Sequence, residues 1–204
     1  MGINQLKQEH KKKEFIIKSR LNDFKNIKDS EIFYELCFCL LTPQTSAKMA
    51  DRAILQLKAR KFHENNFNPV MYLEGIRFLN NKAKYLLEAK GKFTVIKGRI
   101  KELEDNPIEL RNWLIENVKG MNYKESGHFI RNIGLSDNKI SILDRHILKN
   151  LHKLDVISEI PNPLSKKQYL EIEKKFLEFS KEINIPIDEL DLLFWSMETG
   201  EVFK

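Results

Sequence analysis

The sequence predicts an all-α protein, with two packed helical subdomains and a cleft between them. Apolar residues recur at helical spacing through most of the 204 residues, and capping residues and prolines separate these stretches. No stretch shows the sustained period-two alternation that is typical of a half-buried strand. We expect the central subdomain to span residues 30–134, and the second to combine residues 1–29 with residues 135–204.

The first half of the chain contains an almost entirely apolar stretch from Ile32 to Leu41. It predicts a buried helix at the centre of its subdomain, because a helix that is hydrophobic all round has no face for solvent. Thr42-Pro43 ends this helix, so Gln44 falls in a tight turn before the next one. The predicted helices of this half are residues 3–27, a helix capped by Asp29 or Ser30 that ends at Leu41, one capped by Thr45-Ser46 that ends at Leu57, a short one from Asn68-Pro69, and one from Asn80 or Asn81.

A helix, a tight turn and a second helix are predicted within residues 107–134, around the stretch Val118-Lys119-Gly120-Met121-Asn122-Tyr123-Lys124. Asn106-Pro107 supplies a cap and a first-turn proline for the first helix, and the second apolar stripe stops at Gly134. Gly120 and Asn122 both tolerate the left-handed backbone region, so the turn can present its N–H groups outward. Because N–H groups at the start of a helix bind anions, we interpret this hairpin as a site for an anion such as a phosphate.

Two residues near the hairpin can carry chemistry. Lys124 lies in the first turn of the second helix, where the positive end of the helix dipole disfavours the ammonium form and favours an amine nucleophile. Asp144 follows a return segment long enough to bring it back to Lys124, and it can cap a helix from Arg145 to Leu151. An ionised carboxylate beside a sugar stabilises positive charge at the anomeric carbon. The last two helices are predicted from Ser165 to Ile183 and from Ile187 to Met197.

The composition limits the classes of protein to which this chain can belong. Lys and Arg number 35 against 29 Asp and Glu, and this net charge of +6 suits a polyanionic partner without requiring one. The two cysteines, Cys37 and Cys39, are expected to be reduced and buried, and they are too few for an iron–sulfur cluster held by four thiolates. No apolar run approaches the ~18 residues of a membrane helix, and the N-terminus lacks an apolar signal segment. A cytoplasmic protein is therefore expected.

The hairpin, its lysine and Leu143-Asp144-Arg145-His146 together resemble the helix-hairpin-helix, Gly/Pro-Asp superfamily of DNA glycosylases. The hairpin departs from that pattern at two positions, since Lys119 stands where proline is usual and Asn122 where a second glycine is usual. The compact prokaryotic 8-oxoguanine DNA glycosylase/lyase branch is the most similar, over nearly the whole chain. This closer likeness is carried by Cys39-Leu40-Leu41-Thr42-Pro43-Gln44-Thr45-Ser46-Ala47, by Arg77-Phe78-x-Asn80-x-Lys82-Ala83, and by Trp195-x-x-x-Thr199-Gly200 before a terminal lysine.

The resemblance implies a bifunctional glycosylase/AP lyase that acts on 8-oxoguanine. Lys124 would displace the flipped base and form a Schiff base, Asp144 would stabilise the charge, and β-elimination would nick the strand. The contacts to DNA that it implies are those of Gly120, Asn122, Gln44, Arg145 and His146, with Gln44 filling the gap left by the base. The implied contacts to the base are those of Trp195, Asp191, Phe78 and the C-terminal Lys204.

No cofactor and no metal is expected for this chemistry, although the backbone carbonyls of Lys119 and Met121 could hold a monovalent cation against a phosphate. The expected partner is double-stranded DNA containing 8-oxoguanine, bound by a monomer. Two other functions stay open. A sibling glycosylase for oxidised pyrimidines would share Lys124 and Asp144, although the terminal lysine and the missing cluster cysteines argue against it. In a non-catalytic hairpin module, Lys124 would only contact a phosphate.

Overall fold

The computed structural model describes residues 2–204, and this part of the chain is all-α, as predicted. It contains nine α-helices, one 3-10 helix and no strand. The helices are α1 (Ile3–Lys25), α2 (Asp29–Leu41), α3 (Ala47–Ala59), α4 (Leu79–Glu102), α5 (Pro107–Asn117), α6 (Tyr123–Asn132), α7 (Arg145–Lys153), α8 (Lys166–Ile183) and α9 (Ile187–Thr199), with the 3-10 helix at Pro69–Tyr72.

Helix α2 is buried on all sides, as its composition predicts. Every residue from Phe33 to Leu41 is buried, and the helix packs against α3, α4 and α6. Its start differs from the prediction, because the N-cap is Lys28 and no side chain caps the helix. Asp29 instead lies inside the first turn, where its carboxylate faces the positive end of the helix dipole.

The apolar side chains form two clusters, one on each side of α6. The first is built mainly on α2, α3 and α4, and the second on α1, α7, α8 and α9. Helix α6 contributes to both, since Phe129 and Ile130 belong to the first cluster and Tyr123 to the second. The helix that begins with the hairpin is therefore shared between the two cores. The subdomain boundaries given above stay a prediction.

Two further features bear on the site. Helix α4 begins at Leu79, one or two residues earlier than predicted, because Phe78 adopts φ +57° and serves as its N-cap. Helix α1 braces α9 through His10 Nε2, which lies 2.6 Å from Glu189 Oε2, and through Lys13, which donates to the hydroxyl of Ser196 at 3.0 Å.

Among residues 2–204, the structure has no helix of the length and hydropathy needed to cross a membrane.

Candidate active site

The hairpin between α5 and α6 turns at Gly120, which has φ +92°. Its turn is closed by the amide of Met121, which donates to the carbonyl of Val118 at 3.1 Å. The prediction that Asn122 shares the left-handed conformation is wrong, since this residue is extended at φ −132° and ψ −172°. Asn122 is the N-cap of α6, and its side chain accepts a hydrogen bond from the amide of Tyr123 at 2.9 Å. Asparagine therefore stands here as a capping residue, a role it performs well in extended backbone.

Gly120 has no room for a side chain. A β-carbon built on it would lie 2.6 Å from a ring carbon of Tyr85 and 3.1 Å from a methyl group of Leu40. Since α4 carries Tyr85 and α2 carries Leu40, the hairpin lies directly on the first core. The sequence predicts glycine from backbone conformation alone, and the structure adds this steric reason.

Gly120→Ala is expected to destabilise the fold by at least ~1–2 kcal/mol and to weaken binding of damaged and undamaged duplex alike. A left-handed β-carbon and the contact with Tyr85 would both displace the turn. Gly98→Ala is the matched control, because a β-carbon at Gly98 in α4 meets nothing within 4 Å. That variant should be as stable as the parent or more so. Loss of lesion discrimination with full duplex affinity would contradict the phosphate-binding interpretation of the hairpin.

Lys124 is the second residue of α6 and is partly buried, with its ammonium 3.2 Å from the carboxylate of Glu125. Glu125 is itself buried, so the pair is largely removed from water. Sequence reasoning missed Glu125. It places an acceptor beside the proton that Lys124 must lose before it can act as a nucleophile.

Asp144 caps α7, as predicted. Its Oδ1 accepts hydrogen bonds from the amides of His146 and Ile147, both at 2.8 Å. Because both hydrogen bonds use the same oxygen, Oδ2 remains available to interact with a molecule in the cleft. The helix therefore fixes the orientation of the carboxylate.

Lys124 and Asp144 line the same cleft, which has a volume of about 660 Å³. This volume lies in the range of ligand pockets, roughly 300–1,000 Å³. Six further predicted site residues also line it, namely Gln44, Arg145, His146, Asp191, Trp195 and Lys204. The structure thus brings together residues from the start, the middle and the end of the chain.

Phe78 is not among the residues that line this cleft in the described part of the chain. Its side chain is 55% exposed, and the guanidinium of its neighbour Arg77, which does line the cleft, lies 5.3 Å from the ring centroid. The left-handed backbone at Phe78 begins α4 with this exposed residue. Stacking of Phe78 on the flipped base stays a prediction.

The loop that carries Gln44 is held by a buried lysine. Lys82 donates to the carbonyls of Leu41 at 2.7 Å and Pro43 at 2.6 Å, and to the hydroxyl of Thr45 at 3.0 Å. Burial, together with the charge of Lys124, lowers the pKa of Lys82 to about 8. Gln44 itself has φ +54°, so the loop is held in a conformation that a non-glycine residue rarely adopts.

Sequence reasoning placed Lys82 in a stretch that carries the family resemblance but assigned it no structural role. A signal was present, however, because Lys82 falls in register with the buried stripe of α4. The buried positions of that helix include Lys82, Leu86, Ala89 and Phe93, which are four, three and four residues apart. A charged residue at such a position indicates a buried and partnered side chain.

The C-terminal lysine is anchored by two carboxylates from the first half of the chain. Its ammonium lies 3.3 Å from Glu35 Oε2 and 3.1 Å from Asp51 Oδ1, and it stands 4.4 Å from the centroid of the Phe38 ring. Burial opposes the charge on Lys204, but these two carboxylates outweigh it and raise the pKa of the ammonium. Phe203 packs beside Trp195, with 6.2 Å between the ring centroids. Lys204 is therefore part of the cleft wall.

Two more polar residues of α6 line the cleft and were not predicted. His128 and Arg131 follow Lys124 by four and seven positions, so all three share one helix face. Both are buried, and among the described residues His128 Nε2 and Arg131 Nε and Nη1 have no hydrogen-bond partner. Burial holds the pKa of His128 well below its usual value, with Arg131 adding to the effect, so the ring is neutral. The signal in the sequence was the helical spacing from Lys124.

Asp191 faces these residues from α9. Its carboxylate lies 3.5 Å from Arg131 Nη2. Burial raises the pKa of Asp191 to about 7, against the charge of Arg131 and with a further rise from Asp144 and Asp188. Unpartnered buried nitrogens and a carboxyl group with a raised pKa in one cleft are typical of a ligand-binding site.

A helix, a tight glycine turn and a second helix, with a lysine and an aspartate facing one cleft, define the helix-hairpin-helix class of DNA-acting proteins. A sequence model described as 8-oxoguanine DNA glycosylase matches residues 17–185 of this chain. The 8-oxoguanine DNA glycosylase/AP lyase of Fusobacterium nucleatum is 43% identical, over 99% of this chain and 97% of that protein. The protein of the same name from Methanocaldococcus jannaschii is 37% identical, over 93% of this chain and 92% of its own length.

Solved structures agree with this result. The M. jannaschii 8-oxoguanine glycosylase/lyase, crystallised with a 15mer DNA containing 8-oxoguanine, has a TM-score of 0.89 and 34% identity, over 99% of both chains. The 8-oxoguanine DNA glycosylase of Thermotoga maritima has a TM-score of 0.87 and 28% identity, over 99% of this chain and 98% of that one. The chain belongs to the 8-oxoguanine DNA glycosylase family, and the resemblance noted from its motifs is confirmed.

Proposed function

We propose that the chain is a bifunctional DNA glycosylase/AP lyase that excises 8-oxoguanine from double-stranded DNA. The observation that carries the proposal is the placement of Lys124 and Asp144 on one cleft, each at the start of a helix. The relatives of the same name, which match over nearly their whole length, support the substrate. A non-catalytic hairpin module would leave the free oxygen of Asp144 and the buried polar residues of α6 without a role.

In the proposed reaction, Lys124 first loses a proton and its amine attacks C1′ of the flipped deoxynucleotide. The N–C1′ bond forms as the glycosidic bond breaks, and the bonding electron pair leaves with the base, which takes up a proton. Asp144 Oδ2 stabilises the positive charge that develops on the sugar. Opening of the sugar ring gives a Schiff base with Lys124. Loss of a proton from C2′ then expels the 3′ phosphate, and the strand is nicked.

The proposed DNA contacts come from backbone amides and from the rim of the cleft. The hairpin at Gly120 and Asn122 lies at the start of α6, a place that favours a phosphate. The amides at the start of α7 are taken by Asp144, so Arg145 and His146 are proposed to contact DNA through their side chains at the rim of the cleft. Gln44 lies on the loop held by Lys82 and is proposed to fill the space of the flipped base. A monovalent cation on the carbonyls of Lys119 and Met121 stays a prediction.

The proposed base pocket is the part of the cleft lined by Trp195, Asp191 and Lys204. Trp195 offers an aromatic face, and its packing against Phe203 fixes the ring. His128 and Arg131 extend this pocket with unpartnered nitrogens that hydrogen-bonding groups of the base would satisfy. A contact of Phe78 with the flipped base stays a prediction.

Deleting Lys204 is expected to lower the preference for 8-oxoguanine over guanine by ~10-fold or more, which corresponds to the loss of one buried polar contact. At N7, 8-oxoguanine offers a hydrogen-bond donor where guanine offers an acceptor, so a fixed terminal carboxylate favours the lesion. Glu35 and Asp51 bind the ammonium of Lys204 and so hold this residue at the pocket. The measurement is the ratio of the excision rates on the two bases.

Schiff-base trapping on a bare abasic site serves as the internal control for this deletion, because no base is then read. It should stay near the parent value. An unchanged ratio for the two bases, or a loss of lyase activity together with the ratio, would contradict a base-reading role for the terminus.

The function as a whole is tested by cleavage of duplexes that carry 8-oxoguanine, thymine glycol or a bare abasic site. The proposal requires base release and nicking at 8-oxoguanine, and nicking at the abasic site. Faster cleavage at thymine glycol would favour a sibling glycosylase for oxidised pyrimidines. Binding without cleavage of any of the three would favour the non-catalytic module.

We further propose that the protein acts as a monomer in the cytoplasm, where it meets the chromosome. The proposal of a monomer is supported by the cleft, since one chain supplies Lys124, Asp144 and Lys204 to it. Light scattering of the protein with and without duplex DNA would test the oligomeric state.

A further inference from the structure

The segment of residues 140–143, which leads into Asp144, is held by hydrogen bonds from α8. The hydroxyl of Tyr169 donates to the carbonyl of Ser141 at 2.8 Å and accepts from the amide of Leu143 at 3.2 Å. Both Tyr169 and the two backbone groups are buried. Burial raises the pKa of Tyr169, so the phenol keeps the proton that it donates. The side chain of Tyr169 thus holds the backbone of this segment, including the amide of Leu143, the residue just before Asp144.

A buried ion pair holds the same segment from the other end. Arg111 of α5 binds Glu173 of α8 through two hydrogen bonds of 2.5 and 2.9 Å. Oε1 of Glu173 also accepts from the amide of Ser141 at 2.8 Å and from its hydroxyl at 3.1 Å. Removing two charges from water costs free energy, and the paired charges with their hydrogen bonds offset part of that cost. Arg111 Nε has no partner among the described residues, but the four bonds of Glu173 still join α5, α8 and the segment.

The same cluster touches the residue before Lys124. The ring of Tyr123 lies 5.2 Å from the ring of Tyr169, and the guanidinium carbon of Arg111 lies 5.1 Å from the Tyr123 centroid. On α6, Gly127 lets the segment approach closely, because a β-carbon there would be 2.7 Å from the carbonyl oxygen of Ser141. Tyr169 and Arg111 thus contact the chain next to both proposed reacting residues, Lys124 and Asp144.

We propose that Tyr169, supported by Arg111 and Glu173, is a positioning residue that sets the carboxylate of Asp144 against Lys124. It acts through Asp144 and does not touch the substrate, and the inference rests on the roles proposed above for those two residues. A displacement of about 1 Å at a reacting group can cost ~10²-fold in rate. The backbone of Leu143 can shift by part of that distance once its hydrogen bond is lost.

The test begins with Tyr169→Phe, which keeps the ring and removes only the hydroxyl. We expect kcat for 8-oxoguanine excision to fall by ~10-fold while KM stays within ~2-fold, because the group acts on the transition state and not on DNA binding. Trapping on a bare abasic site should change much less, since the base has already left and no charge develops at its departure. Glu173→Gln weakens the support at Ser141 and should show the same split in kcat and KM, but it also leaves the buried Arg111 without its charged partner and should lower the thermal stability.

Tyr34→Phe is the matched control. Tyr34 is also buried and its hydroxyl also accepts a backbone amide, that of His63 at 3.4 Å, but it belongs to the first core away from Asp144. The variant Tyr34→Phe should leave the excision rate unchanged. Thermal unfolding of each variant separates loss of fold from loss of positioning. Equal losses of excision in Tyr34→Phe and Tyr169→Phe at equal stability would overturn the proposal.

A double-mutant cycle decides whether Tyr169 acts through Asp144. If it does, Tyr169→Phe should cost less than ~2-fold in a background that already carries Asp144→Asn, because the carboxylate to be positioned is gone. Independent losses that multiply would overturn the positioning role while leaving the proposed function intact. Normal excision by Asp144→Asn alone would instead overturn the role proposed for Asp144, a result obtained without any change at Tyr169.

Discussion

Lys124→Ala is expected to abolish the covalent complex that borohydride traps on DNA containing 8-oxoguanine, and to lower excision by at least about 10³-fold. The amine is the only proposed nucleophile, so its removal eliminates both the displacement step and the Schiff base. The ammonium also lies 3.2 Å from the buried carboxylate of Glu125, which the substitution leaves without its partner. Thermal unfolding should therefore be measured beside the trapping yield.

The control for this variant is Lys119→Ala, which removes the other lysine of the hairpin. The Lys119 side chain is 68% exposed and its ammonium is 3.7 Å from Glu88, away from the cleft. It should lose some DNA affinity, as expected for a phosphate contact, and keep normal trapping at saturating DNA. Undiminished trapping in a folded Lys124→Ala protein would assign the nucleophile to another residue.

The second large effect is expected at Asp144. Asp144→Asn should lower excision of 8-oxoguanine by ~10²-fold or more, because the negative charge opposite the developing positive sugar is lost. The amide oxygen can still accept from His146 and Ile147, so the cap is retained and stability should change by less than ~1 kcal/mol. We therefore expect Asp144→Asn to lower the excision rate strongly while the stability of the fold changes little. Single-turnover excision and thermal unfolding are the two measurements.

Ser165→Ala is expected to have the opposite effect, a loss of stability without a loss of excision. Ser165 caps α8 through the amide of Gln168 as part of a capping box, and it is not among the cleft residues. Its loss should cost ~1 kcal/mol of stability and leave excision unchanged. If Asp144→Asn cleaved at the parent rate, Asp144 would be a cap of the same kind as Ser165 and nothing more.

Local sequence signals located most of the helices. The start of α8 beside Ser165 and its end at Ile183 fall where predicted, as do the cap at Ser46 and the burial of α2. These features depend on residues a few positions apart, because a cap satisfies the amides of the next turn and an apolar stripe repeats with the helical period. The identity of the family was also accessible, since it rests on the hairpin and on the spacing to Asp144.

Turn conformations were predicted less well. Asn122 was expected in the left-handed region and is extended, whereas Phe78, for which no unusual backbone was expected, has φ +57°. The free-energy differences among local backbone states are small, about 1–2 kcal/mol, so packing of the flanking helices decides between them. At Gly120, the nearby ring of Tyr85 adds a constraint that belongs to another helix.

The sequence by itself determined that this protein is all-α, that a hairpin presents Lys124 at a helix start, and that Asp144 caps the helix after it. Only the tertiary structure decided what surrounds them. Lys82 beneath the Gln44 loop, Glu35 and Asp51 on the terminal ammonium, and Tyr169 behind Asp144 are contacts between residues far apart in the chain. Such contacts follow from how the buried faces of distant helices fit together, because buried charges and hydroxyl groups persist only where packing supplies their partners. No local spacing encodes that fit.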